Sequence, residues 1–241
     1  MLLKTRGIVF RTLKYAESSI IADIYTEDKG LRKYIFNSVR KAKSRISPSV
    51  LQVMSLVDLV AYEREDRDLN RVKEIQPAYV YHTIPFDVKK GAVGLFMAEI
   101  IRKTIREEEE NRPLFSFIYD NFCHLDQTTH SIANAHLYFM LELSAYLGFL
   151  PGGEANSQTP FFDLSEGFFV SQIPSHLYYL DERHSILLHN LLHASPETHH
   201  ELKLTREERR HLLQHLLDYY RLHVENFPDI YAHQILFEVL N

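Results

Sequence analysis

The chain has 241 residues, 45% hydrophobic and 24% charged, with a formal net charge of -5. This is globular composition in a length above the roughly 100 to 150 residues of a common single domain, and it excludes a largely disordered chain. A single cysteine, Cys123, excludes an internal disulfide and a cysteine-built zinc site, as in a reducing cytoplasm.

The charge is unevenly spread. Residues 1–80 hold 15 Lys+Arg against 10 Asp+Glu, or +5, whereas residues 81–241 hold 12 against 22, or -10, and the two sum to -5. A basic front segment joined to an acidic remainder points to a polyanion as the ligand of the first. No apolar run approaches the roughly 18 to 20 residues that span a bilayer, and MLLKTRG has no apolar signal core. A cytoplasmic protein with no membrane partner is expected.

Residues 1–80 read as strands. KTRGIVFRTL, SSIIADIYTED, GLRKYIF, VMSLVDLVAYE and LNRVKEIQPAY are rich in Ile, Val, Phe, Tyr and Thr and are separated by short polar or Gly-containing breaks. Five strands at this spacing predict a small closed barrel. Apolar residues on both parities, as in VMSLVDLV, predict that part of the outer face is covered. SRISPSVLQ predicts a short helix or a turn.

After Pro85 the period becomes helical. DVKKGAVGLFMAEIIRKTIREEEE carries Val88, Val93, Phe96, Met97, Ile100, Ile101 and Ile105 on one face and is expected to stay helical into its four-Glu run. PLFSFIYDNFCHLDQ, opened by Pro113, and SIANAHLYFMLELSAYLGF follow as helices. PGGEANSQTPFFDLSEGFFV breaks the helix as an excursion or short hairpin at about 151–180. Helices resume at ERHSILLHNLLHA, TREERRHLLQHLLDYYRLHVENF and DIYAHQILFEVL. Thr205 and Glu208 form a capping box, and Leu212, Leu213, Leu216, Leu217 and Tyr220 a buried stripe. The expected fold is a two-domain α+β protein: a five-stranded β-barrel at 1–80 and a mainly helical domain at 81–241.

Catalytic motifs are wanting. Ser38 to Lys41, SVRK, matches S-x-x-K, but its companion S-D-N and K-T-G elements are absent. Neither a G-x-x-x-x-G-K-[ST] nor a G-x-G-x-x-G loop occurs. His189 with His193, and His211 with His215, stand at i,i+4, yet neither pair carries the Glu of H-E-x-x-H and sequence places no third ligand. They read as rim histidines, and Glu107 to Glu110 as a solvated helix end. No catalytic residue, metal or cofactor is expected.

The basic run RKAKSRI remains. Arg11, Lys14, Arg32, Lys33, Arg40, Lys41, Lys43 and Arg45 lie on or between barrel strands, interleaved with Tyr15, Tyr34 and Phe36. Cations follow a phosphate backbone and aromatic faces stack on unpaired bases, each stack worth roughly 1 to 3 kcal/mol. These cations with Tyr15 and Tyr34 are the candidate nucleic-acid-binding residues, with barrel core as the alternative for Tyr34 and Phe36. Two other classes stay open: a metal-dependent hydrolase on the histidine pairs, which metal analysis would reveal, and a protein-binding adaptor, which would not shift DNA at low salt.

TRGIVFRTLKYAESSIIADIYTEDKG followed by NSVRKAKSR resembles the amino-terminal OB-fold of the RecO family of bacterial recombination mediators. Tyr15, Glu17, Ser18, Thr26, Gly30, Arg40, Lys41, Lys43 and Ser44 carry the likeness. LELSAYLGFLP and FFDLSEGFF agree with the family's helical domain. The resemblance implies a non-enzyme that binds single- and double-stranded DNA, anneals complementary strands, and with RecR loads RecA onto DNA coated by single-strand-binding protein. It also implies docking of that coating protein's acidic, Phe-ended tail on the helical domain, where Arg206, Arg209 and Arg210 are candidates to rim the groove. Many members carry a four-cysteine zinc hairpin in the excursion; here there is no cysteine, and Phe161, Phe162, Phe168 and Phe169 are expected to staple it by burial.

Overall fold

The computed structural model describes residues 1–37, 46–63 and 68–240. Two compact units divide the chain, Met1–Thr128 and Thr129–Asn241. In the first, β1 (Leu2–Lys14), β2 (Ile20–Thr26), β3 (Gly30–Phe36), β4 (Leu56–Tyr62) and β5 (Leu69–Tyr79) close into a barrel in the order β1-β2-β3-β5-β4. Among the described residues of the barrel, β3 and β5 pair in parallel and the other four pairings are antiparallel. This is the five-stranded closed barrel of an OB-fold. A 3-10 turn, Pro48–Leu51, occupies the stretch between β3 and β4 and is capped by the Ser47 side chain.

Alternation along each strand builds the interior. Val9, Ala22, Ile24, Tyr34, Phe36, Val57, Leu59, Ala61 and Val72 form one buried cluster. Gly7 faces inward among them: a Cβ there would lie 2.6 Å from Ile24 Cγ2, so no larger residue fits without displacing a wall. A bulge between Val9 and Arg11 shifts the β1–β2 register.

The outer apolar residues are covered by two helices, α1 (Val88–Thr104) and α2 (Arg112–Gln127). Phe10 and Tyr25 stack at 5.5 Å between centroids, and Phe115 of α2 packs on Tyr25 at 6.1 Å. Arg6 makes two 2.8 Å bonds to Glu27 and holds its guanidinium 4.9 Å from the Tyr119 ring. Both parities of β1 and β2 are therefore apolar where helices overlie them. The first compact unit consequently runs past the strand-to-helix switch near residue 80 and takes in both helices.

Asp126, near the end of α2, closes the link between β5 and α1. Its carboxylate accepts the backbone N–H groups of His82 at 2.9 Å, Thr83 at 2.8 Å and Ile84 at 2.9 Å, and the Tyr79 hydroxyl at 3.0 Å. Lys90 Nζ donates to the carbonyls of Asp126 and Thr128 at 2.9 and 2.7 Å. Burial alone raises the Asp126 pKa, but the bonds from His82, Ile84, Thr83 and Tyr79 outweigh it and bring it down to about 2.

One expectation fails here. The first helix stops at Thr104, and Ile105 is extended and fully buried. Glu107 to Glu110 lie beyond the helix rather than in its last turn. Leu31 donates its N–H to the Glu107 carbonyl at 2.9 Å, and Gly30, at φ +64°, leaves room for the Glu109 backbone where a Cβ would lie 2.3 Å from its oxygen. Pairing with the β2–β3 turn, together with the dipole's aversion to anions at a helix C-terminus, outcompetes another helical turn.

In the second unit, α3 (Ala135–Tyr146), α4 (Glu182–Leu192), α5 (Arg206–His223) and α6 (Ala232–Val239) accompany a small sheet of β6 (Phe161–Asp163), β7 (Phe168–Val170) and β8 (Tyr179–Leu180), in the order β7-β6-β8. The capping box is formed: Glu208 N–H donates to Thr205 Oγ1 at 3.2 Å and Thr205 N–H to Glu208 Oε2 at 2.7 Å. Leu212, Leu213, Leu216, Leu217 and Tyr220 are buried as expected, and Tyr220 donates its hydroxyl to the Met140 carbonyl at 2.6 Å. Of the four phenylalanines expected to staple the hairpin, Phe162 and Phe169 do so, edge to face at 4.9 Å. Phe161 is half-buried and Phe168 exposed, because neighbouring residues of a strand point to opposite faces. Among the described residues no helix is long and apolar enough to cross a membrane.

Candidate nucleic-acid interface

The pairing register gathers the expected cations. Arg11 on β1 pairs with Asp23 on β2, Asp23 with Lys33 on β3, and Lys33 with Leu69 on β5, so these four residues form one row across the barrel wall. Arg11 and Lys33 are exposed. Lys14 ends β1 and Tyr15 opens the tight turn into β2, where Tyr15 N–H donates to the Ser19 carbonyl at 3.1 Å. Tyr15 is 63% exposed, its ring available to a ligand. Ile20 pairs with Phe36, so β3 ends beside this turn. Arg40, Lys41, Lys43 and Arg45, which follow β3 in the chain, lie outside the described residues.

Two expected ligand roles are corrected. Tyr34 is completely buried, its ring part of the barrel interior, and no base can stack on it. Burial first, and then the Glu63 carboxylate, raises its phenol pKa. Arg32 shares the inward parity of Tyr34 and Phe36. Its Nε lies 3.5 Å from the Oε1 of buried Glu63 and its Nη1 3.5 Å from Glu108 Oε2. With two carboxylates as partners it is not a free phosphate ligand. The strand period, applied from Phe36 backwards, puts Arg32 and Tyr34 inside and Lys33 outside.

The structure adds cations that residue type alone did not single out. A groove of about 780 Å³ is lined by Tyr62, Arg71 and Lys73 with Glu63, and a second of about 690 Å³ by Lys4 and Lys73 with Asp58 and Glu74. Alternation in LNRVKEIQ, where Val72 is buried between exposed Arg71 and Lys73, was the available signal. These grooves mix acids with their cations, and Lys73 lies 3.2 Å from Glu74. On the wall from Arg11 to Lys33 the described cations are exposed, with Asp23 between them.

The three arginines of the helical unit do meet. Arg206, Arg209 and Arg210 line one cavity with His136, Leu236, Phe237 and Leu240. Arg206 Nη2 donates to the Phe237 carbonyl at 3.0 Å, Arg209 Nη1 to the Leu204 carbonyl at 2.5 Å, and the Arg210 guanidinium sits 4.5 Å from the Phe237 ring centroid. Burial, and then the charge of Arg209, lowers the His136 pKa to about 3, so this floor is neutral. The cavity measures about 20 Å³, room for one water, so seating an aromatic ring there requires Phe237 to move.

The four-thiolate zinc hairpin does not fit this chain. The excursion has no cysteine, and Cys123 lies on α2, its thiol pKa pushed up to about 11 by burial and then by Asp120.

Comparison with known proteins agrees with the fold. The family described as Recombination protein O N terminal matches residues 1–81, and that described as Recombination protein O C terminal matches residues 85–229. DNA repair protein RecO of Phocaeicola vulgatus is 34% identical over 241 residues, covering all of both chains. Proteins of the same name from Bacteroides fragilis, 34% over 242 residues, and Flavobacterium psychrophilum, 32% over 243, are also covered end to end.

Proposed function

This chain belongs to the RecO family of DNA repair proteins, and on that premise we propose that it is a non-catalytic recombination mediator. It binds single- and double-stranded DNA on the barrel, anneals complementary strands, and with RecR assists the loading of RecA onto DNA coated by single-strand-binding protein. The observation that carries this reading is the exposed row of Arg11 and Lys33, beside Lys14 and Tyr15, at the point where the chain enters its basic run.

Arg and Lys on this wall hold phosphates without reading sequence, and Tyr15 offers one ring face to a base. Annealing follows from charge: two strands whose phosphates are partly neutralised repel each other less, so complementary bases meet. The acidic balance of residues 81–241 keeps DNA on the barrel. Arg206, Arg209 and Arg210 around Phe237 supply cations and an apolar floor for the acidic, aromatic-ended tail of the coating protein, with Phe237 displaced by the incoming ring.

The test is strand annealing with bare DNA, with DNA coated by intact single-strand-binding protein, and with DNA coated by the same protein lacking its tail. Annealing on bare and intact-coated DNA, with loss on tailless-coated DNA, is expected. No DNA shift at low salt overturns the mediator reading in favour of a protein adaptor. Charge reversal at Arg40, Lys41, Lys43 and Arg45 should weaken single-strand binding and reduce the log–log salt slope by about 0.7 for each phosphate no longer neutralised. An unchanged slope moves the site elsewhere.

A further inference from the structure

Glu154, in the excursion, and His189 and His193, one turn apart on α4, bring three ligand atoms within 4.8 Å of one another. His189 Nε2 is 2.5 Å from Glu154 Oε2, and His193 Nε2 is 3.4 Å from Glu154 Oε1. Glu154 is the third group that the spacing of the two histidines could not supply.

The hydrogen bonding at His193 leaves its Nε2 free to act as a ligand. Its Nδ1 lies 2.9 Å from the His189 carbonyl oxygen, which only accepts, so Nδ1 carries the proton. In the neutral ring Nε2 then presents a lone pair toward a carboxylate oxygen, and two acceptors face each other. A proton, a water or a metal ion between them resolves the clash, and only the metal ion also engages His189 Nε2 as a third ligand. The same Nδ1–H to carbonyl bond is the one that orients metal-bound imidazoles and leaves Nε2 free for the ion.

The surroundings hold the three groups in place. The Glu154 carbonyl accepts the Thr159 hydroxyl at 2.6 Å, and Asn156 Oδ1 accepts the N–H of Gln158 at 2.8 Å, which fixes the loop bearing Glu154. The edge of Phe169 packs on His189 at 5.9 Å between centroids. Two imidazoles and one carboxylate suit a borderline divalent cation and not calcium or magnesium. Tetrahedral zinc with bonds of about 2.0 to 2.2 Å separates its ligand atoms by roughly 3.3 Å. The 3.4 Å separation already has that span, and the shorter one reaches it by a small rotation of the exposed Glu154 side chain.

We propose that Glu154, His189 and His193 bind one Zn²⁺ ion, with the fourth position left to water, and that the ion clips the excursion onto α4. The site uses no residue of the DNA-binding wall, so it stands or falls separately from the mediator reading.

The experiment strips the purified full chain with EDTA and titrates it with Zn²⁺ by calorimetry. One equivalent per chain is expected, with a dissociation constant below about 1 μM. Glu154→Gln and His193→Ala should each weaken binding more than tenfold, whereas His215→Ala, in the other histidine pair, should leave it unchanged. Saturating Zn²⁺ should raise the melting temperature of the parent and not of Glu154→Gln. Melting of the variants without metal separates a missing ligand from a failure to fold. Absence of saturable binding overturns the proposal, as does binding of parental strength in both site variants.

Discussion

Arg11 and Asp23 face each other across the β1–β2 pairing, and Lys33 stands on the far side of the same aspartate. The row proposed to grip DNA thus carries an anion at its centre. Adjacent strands lie about 4.8 Å apart, so each cation is one strand from Asp23 and about two from the other. At about 4 Å in water one unit charge affects another by about 1 kcal/mol. Asp23→Asn should tighten single-strand binding about threefold at low salt, with the gain fading at high salt, as read by fluorescence anisotropy. Unchanged affinity would place the phosphates off this row.

Tyr15 and Tyr34 separate stacking from packing. Tyr15→Ala should weaken single-strand binding by about 1 to 3 kcal/mol while leaving duplex binding less affected. Tyr34→Phe should leave DNA affinity alone. Among the described residues the buried Tyr34 hydroxyl meets no partner within hydrogen-bond geometry and has the Glu63 carboxylate near it, so its removal should change stability by no more than about 1 kcal/mol in urea unfolding.

Lys33 and Arg32 are neighbours with opposite expected phenotypes. Lys33→Ala should lower the salt slope of single-strand binding by about 0.7. Arg32→Ala should leave the slope in place and lose about 1 to 3 kcal/mol of stability, since buried Glu63 then loses the Arg32 guanidinium. Paired salt titrations and urea melts of the two variants check both.

Asp126 gives the barrel unit an acid limit. Its folded pKa, about 2, lies below the ordinary aspartate value of about 3.9. As pH falls the unfolded chain takes up this proton first, so the stabilisation is full above about pH 5 and is lost as pH approaches 2. Asp126→Ala removes the acceptor of three backbone N–H groups and should cost about 2 to 4 kcal/mol at pH 7. Its stability should also vary less than the parent's between pH 5 and 2, as measured by denaturant midpoints.

The barrel was legible because its strands are rich in β-branched and aromatic residues and its breaks are short. The covered outer face was legible too, from apolar residues on both parities. What failed were readings where residue type was allowed to override period. Arg32 and Tyr34 look like a cation and a stacking ring, yet both share Phe36's inward parity and serve the core. The four-Glu run reads as helical because IIRKTI continues the apolar face, whereas pairing with the distant β2–β3 turn, through Leu31 and Gly30, helps to end the helix. Glu154 escaped notice because it stands 35 positions before His189 in an irregular segment, a distance that no helical or strand spacing bridges.

Among the described residues, the barrel's closure between β3 and β5 rests on three residue pairs, Lys33 with Leu69, Tyr34 with Asn70 and Ile35 with Arg71, against seven between β1 and β2. Lys33 therefore belongs both to the proposed grip and to the seam with the fewest described pairs. A strand of DNA laid from Arg11 to Lys33 acts as a strap over that joint, and amide hydrogen exchange at residues 33–35 and 69–71 should slow when it is in place.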